Sequence, residues 1–230
     1  MMRWFAIGAW LTCCLCSTVL AQTGAPARSA QLERPPLFFS EGWKTLPTPA
    51  DDHGAWPASQ AAVASPNLEL KLHGPSAKEI QLVAVRGSPD LYPLNLWTGT
   101  TTAPSAAALR DRNRFVDLSS PLAKIRWVVR TSGFHQIRPV VELADGTWLV
   151  GDRTTGPFSD FNQADVTIAD VRWLKLDIDR VVTVGTWVEH PDLRKVDSVG
   201  FADLLPGSGH GPGGYVNVGR IEVYGAAVNR

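Results

Sequence analysis

The sequence predicts an all-β protein, a single-domain antiparallel β-sandwich spanning residues 37–228. Three observations carry that expectation. From Leu37 onward the chain is a series of short apolar runs broken by Gly, Pro, Asn and Asp, with no sustained helical period. Several runs alternate strictly. Leu68, Leu70 and Leu72 are separated by Glu69 and Lys71, and Ile125, Trp127 and Val129 alternate with Lys124, Arg126 and Arg130. A strand of period two has one face in a core and one nearer water. Finally, residues 124–152 read as three successive strands, the last two joined at Asp145-Gly146.

The expected strands are Leu37–Phe39, Leu68–His73, Ile80–Val85, Leu94–Thr98, Lys124–Arg130, Gln136–Leu143, Thr147–Val150, Arg172–Ile178, Ser198–Ala202 and Arg220–Tyr224. Two short helical pieces are expected, at Ser105 to Arg110 and at Pro191 to Lys195. A two-residue turn at Asp145-Gly146 pairs Leu143 with Trp148 and Val141 with Val150. It puts those four side chains on the core face and Glu142 and Leu149 on the other. A slip by one residue would exchange the faces of a strand.

The N-terminus reads as an exported leader. Arg3 is followed by an apolar stretch from Trp4 to Leu20, and Val19-Leu20-Ala21 suits cleavage before Gln22. Residues 1–21 are therefore expected to be a signal peptide, with the mature protein secreted or periplasmic and lacking a transmembrane segment. All three cysteines, Cys13, Cys14 and Cys16, lie inside this leader. The mature chain then has neither disulfides nor thiol chemistry. Lipidation at Cys14 or Cys16 fits the pattern poorly. Residues 22–36, rich in Ala, Ser, Pro and Gln, read as a disordered lead-in. Of 22 basic residues only Arg3 is lost with the leader, leaving a near balance against 22 acidic ones. No basic block is present, so nucleic acid is not an expected partner.

The order of motifs in the second half resembles a known family. Val116-Asp117-Leu118-Ser119 precedes the strand AKIRWVV and the Asp-Gly hairpin. VRWLKLDI, LRKVDSVGF, a Gly-rich loop and a closing RIEVYG follow. This serial pattern, over about residues 115–225, is similar to the galactose-binding-like jelly roll of several carbohydrate-binding module families. The resemblance implies a jelly-roll sandwich and an oligo- or polysaccharide partner. Many such modules hold a structural Ca²⁺ with carboxylates near the first strand and an Asp before the last. Here Val218-Gly219-Arg220 replaces that Asp, leaving Glu41 and Glu222 as the carboxylates that could serve. No cofactor is expected.

Candidate binding residues come from aromatics and polar groups off the expected core. Trp127 and Trp148 share faces with core aliphatics and are expected to be buried. Trp173 lies opposite Leu174, Leu176 and Ile178, which suits either an exposed stacking surface or packing under a loop. Trp97 and Tyr92 sit near a loop rim, and Trp187 is expected to pin a long loop. Arg138 and Glu142 share the face opposite the core side chains. There they could bond sugar hydroxyls or a uronate, or form a cross-strand ion pair. His135, at a strand entrance, could act as a base, a ligand or an edge hydrogen-bonder. The stretch from Pro206 to Tyr215 reads as a mobile connection that could line a site. No catalytic fingerprint is present, and the histidines lack metal-ligand spacing. The expected function is carbohydrate binding without catalysis. The alternatives are a small polysaccharide-active enzyme using Glu142 or His135, and an envelope assembly protein.

Overall fold

The computed structural model describes residues 33–46, 54–84, 94–205 and 214–230. The leader, most of the lead-in, Tyr92 and most of the Gly-rich loop fall outside them. Among the described residues there are sixteen strands. In chain order they are β1 (Leu37–Glu41), β2 (Ala55–Pro57), β3 (Leu68–His73), β4 (Gln81–Ala84), β5 (Leu94–Trp97), β6 (Ser105–Asp111), β7 (Arg114–Asp117) and β8 (Lys124–Gly133). They continue with β9 (Ile137–Leu143), β10 (Trp148–Gly151), β11 (Asn162–Thr167), β12 (Trp173–Asp177), β13 (Val182–Val188), β14 (Val196–Asp203), β15 (Gly214–Tyr224) and β16 (Ala226–Asn229). Every pairing is antiparallel.

The strands form two sheets. The seven-stranded sheet runs β11-β8-β15-β5-β4-β2, with β1 also on β15. The nine-stranded sheet runs β13-β12-β10-β9-β14-β6-β3, with β7 on β14 and β16 on β7. The main core lies between them and includes Leu68, Leu96, Trp127, Val141, Trp173 and Phe201. The antiparallel β-sandwich expected from the strand pattern is the fold of this chain.

Four local expectations are corrected. Ser105 to Arg110 is a strand, β6, with β3 on one side and β14 on the other. Its alanines favour a helix locally, but Ala107 and Leu109 bury one face in the main core while Ala106 and Ala108 bury the other. Pro191 to Lys195 contains a turn rather than a helix. Tyr215 belongs to β15, not to the Gly-rich connection.

The fourth correction concerns register. The Leu143 N–H bonds the Thr147 C=O at 2.9 Å, so Leu143 stands opposite Thr147, not Trp148. The loop therefore has three residues, Ala144-Asp145-Gly146. Gly146 N–H bonds Leu143 C=O at 2.9 Å, and Gly146 takes φ +84°, the left-handed value glycine adopts without a Cβ clash. The Asp145 carboxylate accepts the Thr147 N–H at 2.9 Å and fixes this form. The extra residue moves β10 by one position, so Trp148 pairs with Glu142 and Val150 with Val140. Val141 and Leu149 face the main core, while Trp148 and Val150 belong to a second apolar cluster on the far face of the nine-stranded sheet.

Candidate functional site

The far face of the nine-stranded sheet carries Arg138 and Glu142, as expected, but it is not an open platform. Cross-strand pairing lines up Lys71, Ala108, Gly200, Val140 and Val150 across β3, β6, β14, β9 and β10. Small residues make its centre a trough floor: Ala106, Ala108 and Ala202 are fully buried. The trough is bridged by its own walls. Lys71 Nζ on β3 bonds Glu142 Oε2 on β9 at 2.8 Å, and the rings of His73 on β3 and Trp148 on β10 meet at 4.7 Å. Four strand spacings in a flat sheet would separate β3 from β10 by about 19 Å, so the sheet is strongly curled. Val181, from the turn between β12 and β13, completes the roof at 1% exposure. Burial first, then the Lys71 charge, hold the His73 imidazole below its usual titration range, against the opposing charges of Glu142 and Asp179.

Glu142 is occupied as well as covered. Besides Lys71, its Oε2 accepts the Ser198 hydroxyl at 2.6 Å. Ser198 Oγ also lies 3.4 Å from Asp197 Oδ2, which brings two carboxylates near one hydroxyl. A hydrolase would need one member of such a pair to hold a proton. Asp197 is instead pushed below the ordinary carboxylate range. Burial opposes this, but the Arg230 hydrogen bond and the charges of Arg230, Arg110 and Lys71 outweigh it. Through these bonds Glu142 and Asp197 knit charged strands together. Arg138 donates only a long 3.4 Å contact to Gly151 C=O.

Trp173 is 2% exposed and belongs to the main core, so the exposed stacking ring, one of its two readings, does not hold. The outward apolar residues of its strand, Leu174 and Leu176, fill the second cluster instead. Lys175 and Asp177 share the parity of Trp173 but are polar and less covered, so only Trp173 at the start of β12 reaches the main core. His135 is also buried, at 2% exposure, with Nδ1 2.6 Å from Asp203 Oδ2. Asp203 further accepts the Thr98 hydroxyl at 3.3 Å and the Leu205 N–H at 3.2 Å. Thr98 Oγ1 accepts the Val216 N–H at 3.1 Å. This network ties the ends of β5, β14 and β15 to the hairpin joining β8 and β9. His135 sits inside it with no open side for a ligand.

The carboxylates considered for Ca²⁺ are engaged too. Glu41, fully buried, accepts the N–H groups of Trp43, Ala64 and Ser65 at 3.0, 2.7 and 3.0 Å. Glu222 accepts the Tyr224 hydroxyl at 2.7 Å and faces Arg126. Among the described residues no group of three or more His, Cys, Asp or Glu could hold a metal ion.

The remaining candidate, Trp97, lies on the outer face of the seven-stranded sheet, and the structure gathers further residues beside it. Trp97 and Arg130 both pair with Asn217, from either side of β15. Phe161, just before β11, then Arg130 on β8, Tyr215 and Asn217 on β15, and Trp97 on β5 thus form a strip. The Arg130 guanidinium stands 5.3 Å from the Phe161 ring centroid and 5.4 Å from that of Tyr215. Trp97 meets Tyr215 edge to face at 6.3 Å. Arg130 Nε bonds Asn217 Oδ1 at 3.2 Å, and Asn217 Nδ2 bonds Asn95 Oδ1 at 2.5 Å. The two asparagines are buried and fix Arg130 from below, while the three rings and the guanidinium remain partly exposed. Arg130 was legible as an outward residue by alternation. Tyr215 and Phe161 were not, since neither sits in a run with strand period.

No protein-family model and no curated protein matches the chain. Among solved structures it is similar to a family 11 carbohydrate-binding module of a cellulosomal cellulase of Clostridium thermocellum. That match has 15% identity and a TM-score of 0.40 and covers 75% of this chain and 95% of that one. A family 11 module from the same organism, in complex with a β-1,3-1,4-mixed-linked tetrasaccharide, matches at 14% identity and a TM-score of 0.37, over 83% and 98%. An exo-β-agarase matches at 11% identity and a TM-score of 0.40, over 72% of this chain but 24% of that one.

Proposed function

We propose that this protein is an exported carbohydrate-binding β-sandwich that holds an oligo- or polysaccharide on the outer face of its seven-stranded sheet. The observation that supports this reading is the strip from Phe161 through Arg130 and Tyr215 to Trp97. A sugar ring offers an apolar C–H face and a polar edge. Partly exposed aromatic rings suit the first. A guanidinium held in place by Asn217 suits vicinal hydroxyls or a carboxylate. Pre-setting Arg130 removes part of the ordering cost of binding. The trough of the other sheet, which carries Arg138 and Glu142, is filled by its own side chains, so it contributes no open surface.

The test is a glycan array on the purified protein, followed by titration of the best ligand into Trp97→Ala, Tyr215→Ala and Glu142→Gln variants. Loss of one stacking ring should weaken binding roughly tenfold. Glu142→Gln, on the other sheet, should leave affinity unchanged. Absence of binding to every glycan, with the fold intact by circular dichroism, would overturn the proposal. So would affinity indifferent to both ring deletions.

A further inference from the structure

Arg130 differs from the other cations on its face of the seven-stranded sheet. Strands β8, β11 and β15 alternate into the main core through Ile125, Trp127, Val166, Ile221 and Val223. Opposite these they carry six charged side chains: the cations Lys124, Arg126, Arg130 and Arg220, and the carboxylates Asp165 and Glu222. Three of the cations are matched. Asp165 takes Lys124 Nζ at 2.7 Å and Arg126 Nε at 2.6 Å. Glu222 stands 3.7 Å from Arg126 and 3.8 Å from Arg220. Arg130 lies four residues beyond Arg126 along β8, roughly 13 Å in an extended strand. Among the described residues no carboxylate pairs with it.

What holds Arg130 is uncharged. The Val83 C=O accepts from Asn95 Nδ2 at 3.2 Å, which leaves Asn95 Oδ1 to accept from Asn217 Nδ2 at 2.5 Å. Asn217 Oδ1 is then the end that accepts from Arg130 Nε at 3.2 Å. A backbone carbonyl can only accept, and each amide has one donating and one accepting end, so Val83 sets the direction of the whole relay. An aspartate in place of Asn217 would hold the same nitrogen and also neutralise it. Asparagine fixes the side chain and leaves its charge unanswered. The relay uses Nε alone, and neither Nη group bonds a described residue. Those two nitrogens form the fork that meets a carboxylate or sulfate with parallel hydrogen bonds. The Phe161 and Tyr215 rings flank the guanidinium at 5.3 and 5.4 Å, placing apolar faces directly beside the charge.

We infer that the saccharide held on this strip is acidic, and that its uronate carboxylate or sulfate ester pairs with Arg130 while its sugar rings lie on Tyr215 and Trp97. This ligand class rests on the saccharide-binding reading above and narrows it. Four cations against two carboxylates leave these three strands with a positive excess. An acidic ligand supplies the missing anion, a neutral one does not, and a cationic one is repelled.

Matched pairs of glycans test it. An array should carry oligogalacturonate and oligomannuronate beside their methyl esters, and carrageenan oligosaccharides beside their desulfated forms. The first pairs isolate the carboxylate and the last isolates the sulfate. The best pair is then titrated calorimetrically into the full-length mature protein. The acidic member should bind about tenfold more tightly than its uncharged counterpart, and added salt should weaken the acidic member alone. Arg130→Gln removes the charge but keeps a side-chain amide, and should abolish the preference while binding of the uncharged member persists. Arg138→Gln, on the other sheet, should keep the preference. Equal affinity within every pair would overturn the inference, as would a preference that survives Arg130→Gln. Neutral glycans bound in a Trp97-dependent way without any charge preference would sink the acidic ligand and leave the saccharide reading standing. Failure to bind any glycan, acidic or neutral, would sink both. Circular dichroism of each variant separates loss of binding from loss of fold.

Discussion

Glu41 gives the sharpest stability prediction. Its carboxylate is fully buried at the end of β1 and accepts three backbone N–H groups, from Trp43 and from the segment Ala64–Ser65. One of these belongs to a residue in an unusual conformation: Trp43 has φ +56° while its indole N–H bonds Val218 C=O at 2.8 Å inside the core. Glu41→Gln preserves shape but not chemistry. The amide oxygen can replace Oε1 and keep the bonds from Trp43 and Ala64. The amide NH₂ then faces the Ser65 N–H, donor against donor. An unsatisfied buried N–H costs about 1–3 kcal/mol. The two surviving bonds lose their ionic character, which makes them about half as strong. A total near 3 kcal/mol follows, reduced by whatever burial of the charge had cost. With a urea dependence of about 2–3 kcal/mol/M for a domain of this size, the unfolding midpoint should fall by about 1 M. Urea titration followed by tryptophan fluorescence measures it, with circular dichroism to confirm two-state behaviour. A midpoint within about 0.2 M of wild type, well inside the shift expected from this unfolding slope, would refute the assignment of Glu41 as the amide acceptor. Three N–H dipoles also present their positive ends to this carboxylate, so a cation has no place beside it. A chelator should therefore leave the wild-type midpoint unchanged, and a drop would mean that a metal shares the site.

Two further outcomes follow from the trough and its rim. Gly200→Ala should cost roughly 3 kcal/mol, because a Cβ there would overlap the Ala107 carbonyl oxygen and come within 2.5 Å of the Ala108 Cα, both backbone atoms that cannot swing aside; thermal unfolding checks it. Asp197, only 9% exposed, is held below its ordinary value of 3.8, so its stabilising contribution is present above that pH and is lost as pH falls through the lower folded value. Asp197→Asn should therefore be about 1–3 kcal/mol less stable at pH 7 and should lose less stability than wild type between about pH 4 and pH 2, as read from urea midpoints across that range.

The strands with clean alternation were legible because each faces one core. Leu68, Leu70 and Leu72 all turn toward the main core, and Trp127 is fully buried there. The reading failed where both faces of a strand are covered. β6 looked helical because its alanines satisfy two apolar layers at once. Trp173 admitted an exposed reading because Leu174 and Leu176 had already been assigned to a core, and a second apolar layer could not be foreseen. The Asp145-Gly146 pair announced a hairpin, but glycine serves a two-residue and a three-residue loop equally well. The Asp145–Thr147 bond selects the longer loop and moves Trp148 to the other face.

The candidate site was less legible than the fold. Trp97 and the outward position of Arg130 could be read locally. Tyr215 lies 85 residues beyond Arg130 in the chain and meets it only because β8 and β15 are neighbours. His135 and Asp203 likewise meet across 68 residues. By itself the sequence determined the all-β class, most strand positions and the near neutrality of the chain, since these follow from side-chain period, turn residues and charge. Tertiary structure alone decided which faces are open. The curl of the nine-stranded sheet brings Lys71 to Glu142 and His73 to Trp148, closing the face that seemed available. It leaves the aromatic strip on the opposite sheet at the surface. Exposure depends on what packs above a residue, and that is set by contacts between distant segments.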